Sequence, residues 1–404
     1  MKNSYSLVEI VEDLCTMLLY LSFIIFSTNA AGIFYMIGLV TATYLLHCMS
    51  NGLKLPFHKG IFQRYLFLIA IYCLLSSIWA QQSSYAIEKG VTLLELLVVF
   101  SILYEVYSGF PERLLQCIKW AGFILAIYTI LFVGLDNLTD TIGEEGRLEN
   151  SFANVNVIGM CCSTSILLAF FFRRMKKSLV DVILCVPALF VIAGSGSRKA
   201  LVMLIIGLFY IVLIQHKANK QDSSIKKLLR VFGGLMVLFV LFYVMTKIGL
   251  FGGTLSRMDG LIASITGKGD ADSSSILREY YRFLGFQQFL ETPFLGMGMG
   301  NPRLLALQYT GNDCYLHCNY AEVAAGGGMI GLALVYWIYV KLWRTEYSVR
   351  HTDPYASIML LLIFLNLILD YGQVSYYSKS NLFVLLTICI HYESVTKIAR
   401  SKIN

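Results

Sequence analysis

Charge is scarce in this chain. Only 14% of its 404 residues are Asp, Glu, Lys or Arg, against about 25% in an average soluble protein. Hydrophobic residues make up 57%, and the mean hydropathy is +0.67. So few charges cannot cover a soluble globule of this length, which excludes a soluble enzyme, a disordered protein and a nucleic-acid binder. Proline is scarce too. Six prolines, beside 32 glycines, exclude collagen-like and Pro-rich repeats. No internal repeat of roughly 20–50 residues is found. The net charge of +7 requires no polyanionic partner, because membrane proteins collect Lys and Arg on their cytoplasmic loops.

What is present in abundance is apolar sequence. A helix crossing the hydrocarbon core needs about 20 apolar residues. Twelve segments meet that description: 14–28, 30–49, 61–80, 91–107, 114–135, 155–172, 179–195, 199–215, 228–250, 317–343, 355–371 and 379–396. The first is short and pairs with the second as a tight hairpin; the tenth is long and begins above the membrane. The expected fold is an all-α polytopic membrane protein, a single membrane domain over 1–404 with an external loop, 251–316, between helices 9 and 10. Placing both termini in the cytoplasm leaves about two thirds of the Lys and Arg inside, as the positive-inside rule requires. The stretch before the first span carries Lys2 against Glu9, Glu12 and Asp13. That is the wrong sign for a signal peptide. The long loop is outside and far off centre, which argues against a symmetric carrier of two six-span halves. Of the ten cysteines, only Cys314 and Cys318 fall in an outer segment. The others read as small apolar residues. Cys314, Cys318 and His317 lack a fourth metal ligand, so no metal site is expected.

The loop is where chemistry gathers. Residues Ser273 to Glu291 read as an amphipathic helix, capped by Asp272 or Ser273 and closed by Pro293. Arg278 and Arg282 are four apart and share a face. They are either headgroup contacts of a helix on the bilayer surface or a cationic clamp over an anion. Arg198 lies in Gly194-Ser-Gly-Ser-Arg-Lys199, a connection too short for an ordinary loop. It is held at or just inside the outer interface, as a snorkelling anchor or as a functional cation. Arg pairs bidentately with phosphate. His317 alone among six histidines falls on the outer side, either as an interfacial group bonded to backbone or as a base for a sugar hydroxyl. Three motifs carry less. Gly296-Met-Gly-Met-Gly300 reads as a tight turn where backbone approaches a neighbour. Asp270-Ala-Asp272 is explained by helix capping as well as by a metal. Asn137-Leu-Thr139 is a glycosylation acceptor only in a eukaryotic secretory setting.

Four ordered segments together resemble one family. They are Arg147-Leu-Glu-Asn-Ser-Phe-Ala-Asn154-Val-Asn156; Gly-Ser197-Arg198-Lys-Ala; Ser-Ile-Leu-Arg278 running through Glu291-Thr-Pro293-Phe-Leu-Gly296-Met-Gly298-Met-Gly300-Asn301; and His317, followed by Gly328-Met-Ile-Gly331-Leu. The set resembles the O-antigen ligase and O-antigen or capsular polysaccharide polymerase family. The resemblance implies a metal-independent, cofactor-free glycosyltransferase of the C superfamily in the bacterial cytoplasmic membrane. Its donor is a glycan on undecaprenyl diphosphate, used on the outer face in making capsule, exopolysaccharide or lipopolysaccharide. Other polysaccharide assembly proteins are its expected partners. Arg147, Arg198 and Arg278 match the family's arginine positions and would bind the diphosphate, with Arg282 on the same helix face as Arg278. His317 matches the family histidine near the acceptor. The family usually has Asn directly after it, whereas here Cys318 stands there and Asn319 follows.

The chemistry agrees with the resemblance. Transfer from a lipid diphosphate sheds an anionic leaving group, which clustered guanidinium groups stabilise best where water is scarce. The reading is a repeat-unit polymerase, with a ligase acting on lipid A–core as the variant within the family. A flippase for lipid-linked sugars is the rival of another class. A flippase should place charges deep in its bundle, whereas here Glu95 is the clearest mid-depth charge and the arginines gather outside.

Overall fold

A computed structural model describes residues 6–26, 31–52, 60–143, 148, 152–173, 175, 177–217 and 273–401. These residues form helices and no strand: α1 Leu7–Ile25, α2 Ala31–Asn51, α3 Ile61–Ser76, α4 Ser83–Tyr107, α5 Pro111–Val133, α6 Leu135–Gly143, α7 Val155–Arg173, α8 Leu179–Ser195, α9 Arg198–Lys217, α10 Ser273–Glu291, α11 Arg303–Thr310, α12 Asn319–Val349, α13 Ala356–Leu369 and α14 Lys379–Ser401. Among the described residues four helices are long and apolar enough to cross a membrane: Gly32–Asn51, Pro111–Val133, Val155–Arg173 and Asn319–Val349. Shorter apolar helices stand at Ile61–Ser76, Leu179–Ser195 and Ala356–Leu369. The fold is that of a multi-pass helical membrane protein. The expected span 228–250, Arg147, and Asp270 with Asp272 lie outside the described residues.

Some helices extend past their apolar runs for local reasons. α1 starts at Leu7 rather than at 14 because Ser6 and Glu9 make a capping box. The Glu9 N–H donates to Ser6 Oγ at 3.2 Å, and the Ser6 N–H to Glu9 Oε2 at 2.8 Å. α4 takes in the polar stretch from Ser83 that precedes its apolar run. Part of the acidic segment 136–154 coils into α6.

The chain divides into two compact units. One comprises residues 1–12, 40–114 and 272–404. Here α3 and α4 form a hairpin, against which α12 and α14 pack. Phe62 meets Phe100 edge-on at 5.5 Å, and Phe100 meets Phe383 at 6.3 Å, the offset geometry that aromatic quadrupoles favour.

α12 is broken at Gly328, where φ is 60° and ψ is −156°. A break inside an apolar helix frees backbone groups that lipid cannot satisfy, so protein must supply the partners. The glycine-rich segment after α10 does so. The N–H groups of Met297 and Gly298 donate to the carbonyls of Ala325 and Gly326, each at 2.9 Å. Met329 N–H donates to Pro293 O at 2.7 Å, and Ile330 N–H to Phe294 O at 3.3 Å. The Tyr72 hydroxyl lies 2.7 Å from Gly327 O and 3.1 Å from Leu295 O. The close backbone approach expected of Gly296–Gly300 is thus made against the broken helix. Farther along, buried Asn301 clips to the α3–α4 turn, accepting from Gln82 N–H at 2.8 Å and donating to Gln82 O at 3.1 Å.

The other unit comprises residues 13–39 and 115–271. In it α7 packs on α8 and α9, and Ser163 Oγ lies 2.9 Å from Ala200 O. Lys119 of α5 and Asp181 of α8 form a buried ion pair at 3.0 Å, with the Lys119 ammonium over the Trp120 ring at 4.4 Å. Local spacing in the sequence does not announce this pair. Glu95 is exposed on α4, whereas Lys119 and Asp181 are buried within strong apolar runs. Hydropathy averages over each member, and only the fold pairs them so that neither charge is left uncompensated.

Candidate active site

The amphipathic helix read over 273–291 forms with those bounds. Its buried stripe is Ser275, Tyr281, Leu284 and Gly285, and it lies along α12. Tyr281 and Leu284 share a core with Leu316, Cys318, Ala321 and Ala325. Gly285 is the close-contact point. A Cβ there would stand 2.7 Å from Leu316 and 3.0 Å from the Ala321 side chain.

Arg278, Tyr281 and Arg282 lie within one turn and share a face of α10. The Tyr281 ring stacks on the His317 imidazole, with centroids 6.1 Å apart and planes at 19°. Tyr315 approaches the same imidazole at 4.4 Å. Tyr281 is itself fixed, its hydroxyl 3.0 Å from Thr310 Oγ1 and accepting from Asn312 Nδ2 at 3.2 Å. The structure therefore places Arg278, Arg282 and His317 around one buried tyrosine. Burial raises the pKa of the Tyr315 phenol and the Arg278 charge opposes that rise, so Arg278 acts on the ring beside His317. Arg282 sits 4.5 Å from the centroid of the exposed Tyr371 ring, in cation–π geometry.

His317 has a left-handed backbone, φ 57°, a conformation open mainly to Gly, Asn, Asp and His. The residues around it explain how it is held. The buried Leu316 N–H donates to Glu322 Oε2 at 2.9 Å. Cys318 caps α12 and, like Cys314, is a free thiol. Asn319, one place beyond the family's usual Asn, is fully buried. Its amide nitrogen donates to Tyr336 Oη at 2.8 Å and Asp370 Oδ2 at 3.1 Å, and its oxygen accepts from Ser375 N–H at 3.0 Å. That side chain is committed to anchoring segment 370–376, so it is a framework group in this chain.

Two further cations escaped sequence reading. Arg303 makes a bidentate pair with Asp313, at 2.6 and 2.5 Å. These bonds raise the guanidinium pKa still further, and the group stacks on Tyr85 at 4.4 Å. Lys89 lies over Tyr377 at 4.4 Å and pairs with Glu88 at 3.2 Å. Nothing in local spacing announces the two ring contacts, which join positions far apart in the chain.

In the other unit, Arg198 is the first residue of α9 and is half-buried. Gly196 ends α8 in the left-handed conformation. Buried Ser197 then caps α9, its Oγ accepting from Ala200 N–H at 3.4 Å. Arg198 and Lys199 thus put two cations on a helix N-terminus. The dipole opposes cations there by roughly 0.3–1 kcal/mol each, and the backbone N–H groups favour an anion. The Leu148 N–H donates to Gly194 O at 3.2 Å, joining this turn to the segment on which the first family motif stands.

Compared with known proteins, residues 183–336 match the family model described as O-Antigen ligase. The match takes in Arg198, Arg278, Arg282 and His317. No curated protein matches the chain. Over residues 183–336 the chain is thus similar to the O-antigen ligase family.

Proposed function

We propose that the protein is a polysaccharide repeat-unit polymerase. It transfers a glycan from undecaprenyl diphosphate to a sugar hydroxyl on the outer face of the cytoplasmic membrane. The observation that carries this reading is the stacking of His317 on Tyr281, between Arg278 and Arg282 on the face of α10. The acceptor hydroxyl oxygen attacks the anomeric carbon of the donor sugar, and the carbon–oxygen bond to the diphosphate breaks. Undecaprenyl diphosphate leaves with the bonding electrons, and His317 takes the hydroxyl proton. Arg147, Arg198, Arg278 and Arg282 hold the diphosphate, the planar guanidinium matching two phosphate oxygens at once. In this scheme guanidinium groups take up the charge that a metal carries in other phosphate chemistry. Both termini lie in the cytoplasm, and the loop 251–316 is external.

A deletion strain tests the function. A polymerase predicts loss of long chains with single repeats retained. Polymer accumulating on the lipid carrier would instead identify a ligase whose acceptor is lipid A–core. Carrier-linked repeats trapped in the cytoplasm would identify a flippase and overturn the enzymatic reading.

Within the clamp, Arg278→Lys is expected to cost more activity than Arg282→Lys. Lys keeps the charge at either place but loses the planar fork. Arg282 already spends its face on Tyr371. Product formation by the two variants at equal abundance checks this. Equal losses would mean that α10 binds by summed charge.

A further inference from the structure

We infer that Glu322 is a positioning residue for His317, an inference that rests on the proposed function: its carboxylate holds the backbone from which the imidazole reaches the acceptor. Three observations converge on it. Glu322 lies in the first turn of α12 and is buried, where the helix dipole favours an anion. Its Oε2 accepts the N–H of Leu316 at 2.9 Å, and Leu316 is fully buried, so no water replaces that acceptor. The next residue is His317, the non-glycine among the described residues with a left-handed backbone. Such a conformation persists only where the surroundings over-determine it. Tyr281 and Tyr315 fix the plane of the ring, and Glu322 fixes the backbone that carries it.

The role differs from that of a proton acceptor. A base for the acceptor hydroxyl needs an oxygen that substrate reaches, whereas Glu322 is buried and its Oε2 is engaged by a main-chain N–H inside the protein. Charge is not what the Leu316 N–H requires; an oxygen at that place is. Glutamine supplies one through its amide carbonyl, and alanine does not.

The full-length protein carrying Glu322→Gln or Glu322→Ala tests the inference in two ways. The first is the rate of polymer formation, separated into kcat and the KM for the carrier-linked donor. The second needs no activity: carbethoxylation of His317 by diethyl pyrocarbonate, read by mass spectrometry. Glu322→Ala is expected to lower kcat about 10²-fold, the scale of an ångström-sized misplacement, with donor KM unchanged and His317 labelling increased. Glu322→Gln should keep kcat within a few-fold and label like the unmodified protein. The inference is overturned if Ala leaves rate and labelling unchanged, or if Gln, present at normal abundance, is as inactive as Ala. The second result would make Glu322 a proton-transfer group. If Ala fails to accumulate, Gln decides alone: a retained rate supports positioning and a lost rate rejects it. Labelling that follows the expected pattern while activity does not track it would leave the positioning intact and count against the proposed reaction.

Discussion

His317→Ala is expected to lower glycan transfer by roughly 10²–10⁴-fold, the usual worth of a positioned general base, while the lipid-linked donor still binds. The argument rests on the division of labour across α10 and the start of α12. Arg278 and Arg282 stand on α10, and the imidazole stacks on Tyr281 of that helix. Truncating the imidazole removes the proton acceptor and leaves the cations where they are. A base must be neutral in the resting enzyme, so activity should fall once the pH is low enough to protonate the imidazole. His317→Gln separates two roles. Gln hydrogen-bonds the acceptor but cannot take its proton. Should Gln restore the rate and flatten the acid limb, His317 orients the acceptor only; if Gln is as inactive as Ala while donor binding persists, the base assignment holds. Product formation against pH, with donor binding measured separately, distinguishes these outcomes.

Gly328→Ala and Gly296→Ala are expected to prevent the protein from accumulating. At Gly328 the dihedrals fall in a region that is essentially glycine's alone, and strain there costs on the order of 1–3 kcal/mol. An added Cβ would also stand 2.4 Å from Phe294 O. At Gly296 φ is 69°, and a Cβ would stand 2.5 Å from the carbonyl carbon of Gly326. In both cases the obstacle is main chain that cannot move without breaking the ladder between 293–298 and 325–330. That ladder satisfies the broken helix and joins the end of α10 to α12, so its loss disturbs the site as well as the fold. Membrane abundance and resistance to protease are the measurements. Variants that accumulate normally and remain active would show that the break in α12 is dispensable.

Much of this was legible in the sequence because it is written locally. The helix at 273–291 is announced by its periodicity, by serine at its start and by Pro293 just past its end. The turn at Gly194–Lys199 is announced by its shortness. The break in α12 was not, because a hydropathy window runs smoothly through Gly326-Gly-Gly328. A glycine inside an apolar run does not say whether it is helical or marks a gap that another segment fills. The capping box at Ser6 lies outside the apolar window that set the start of the first span. Stacking of His317 on Tyr281 joins the connection before α12 to α10, and Arg282 meets Tyr371 from a distant segment. Such pairs leave no trace in local spacing. Residue type still carried information. It drew attention to the histidine and to Arg282, and the fold supplied their ring partners.

The central claim is that a glycosidic bond forms at the expense of a lipid diphosphate. The direct measurement is to supply the purified protein, in liposomes, with undecaprenyl diphosphate-linked repeat units and to follow chain length together with release of undecaprenyl diphosphate. The account predicts lengthened glycan, one undecaprenyl diphosphate released for each bond formed, and loss of both products in Arg198→Lys and His317→Ala at normal abundance. Movement of intact lipid-linked repeats across the bilayer, with no lengthening and no free undecaprenyl diphosphate, would contradict it.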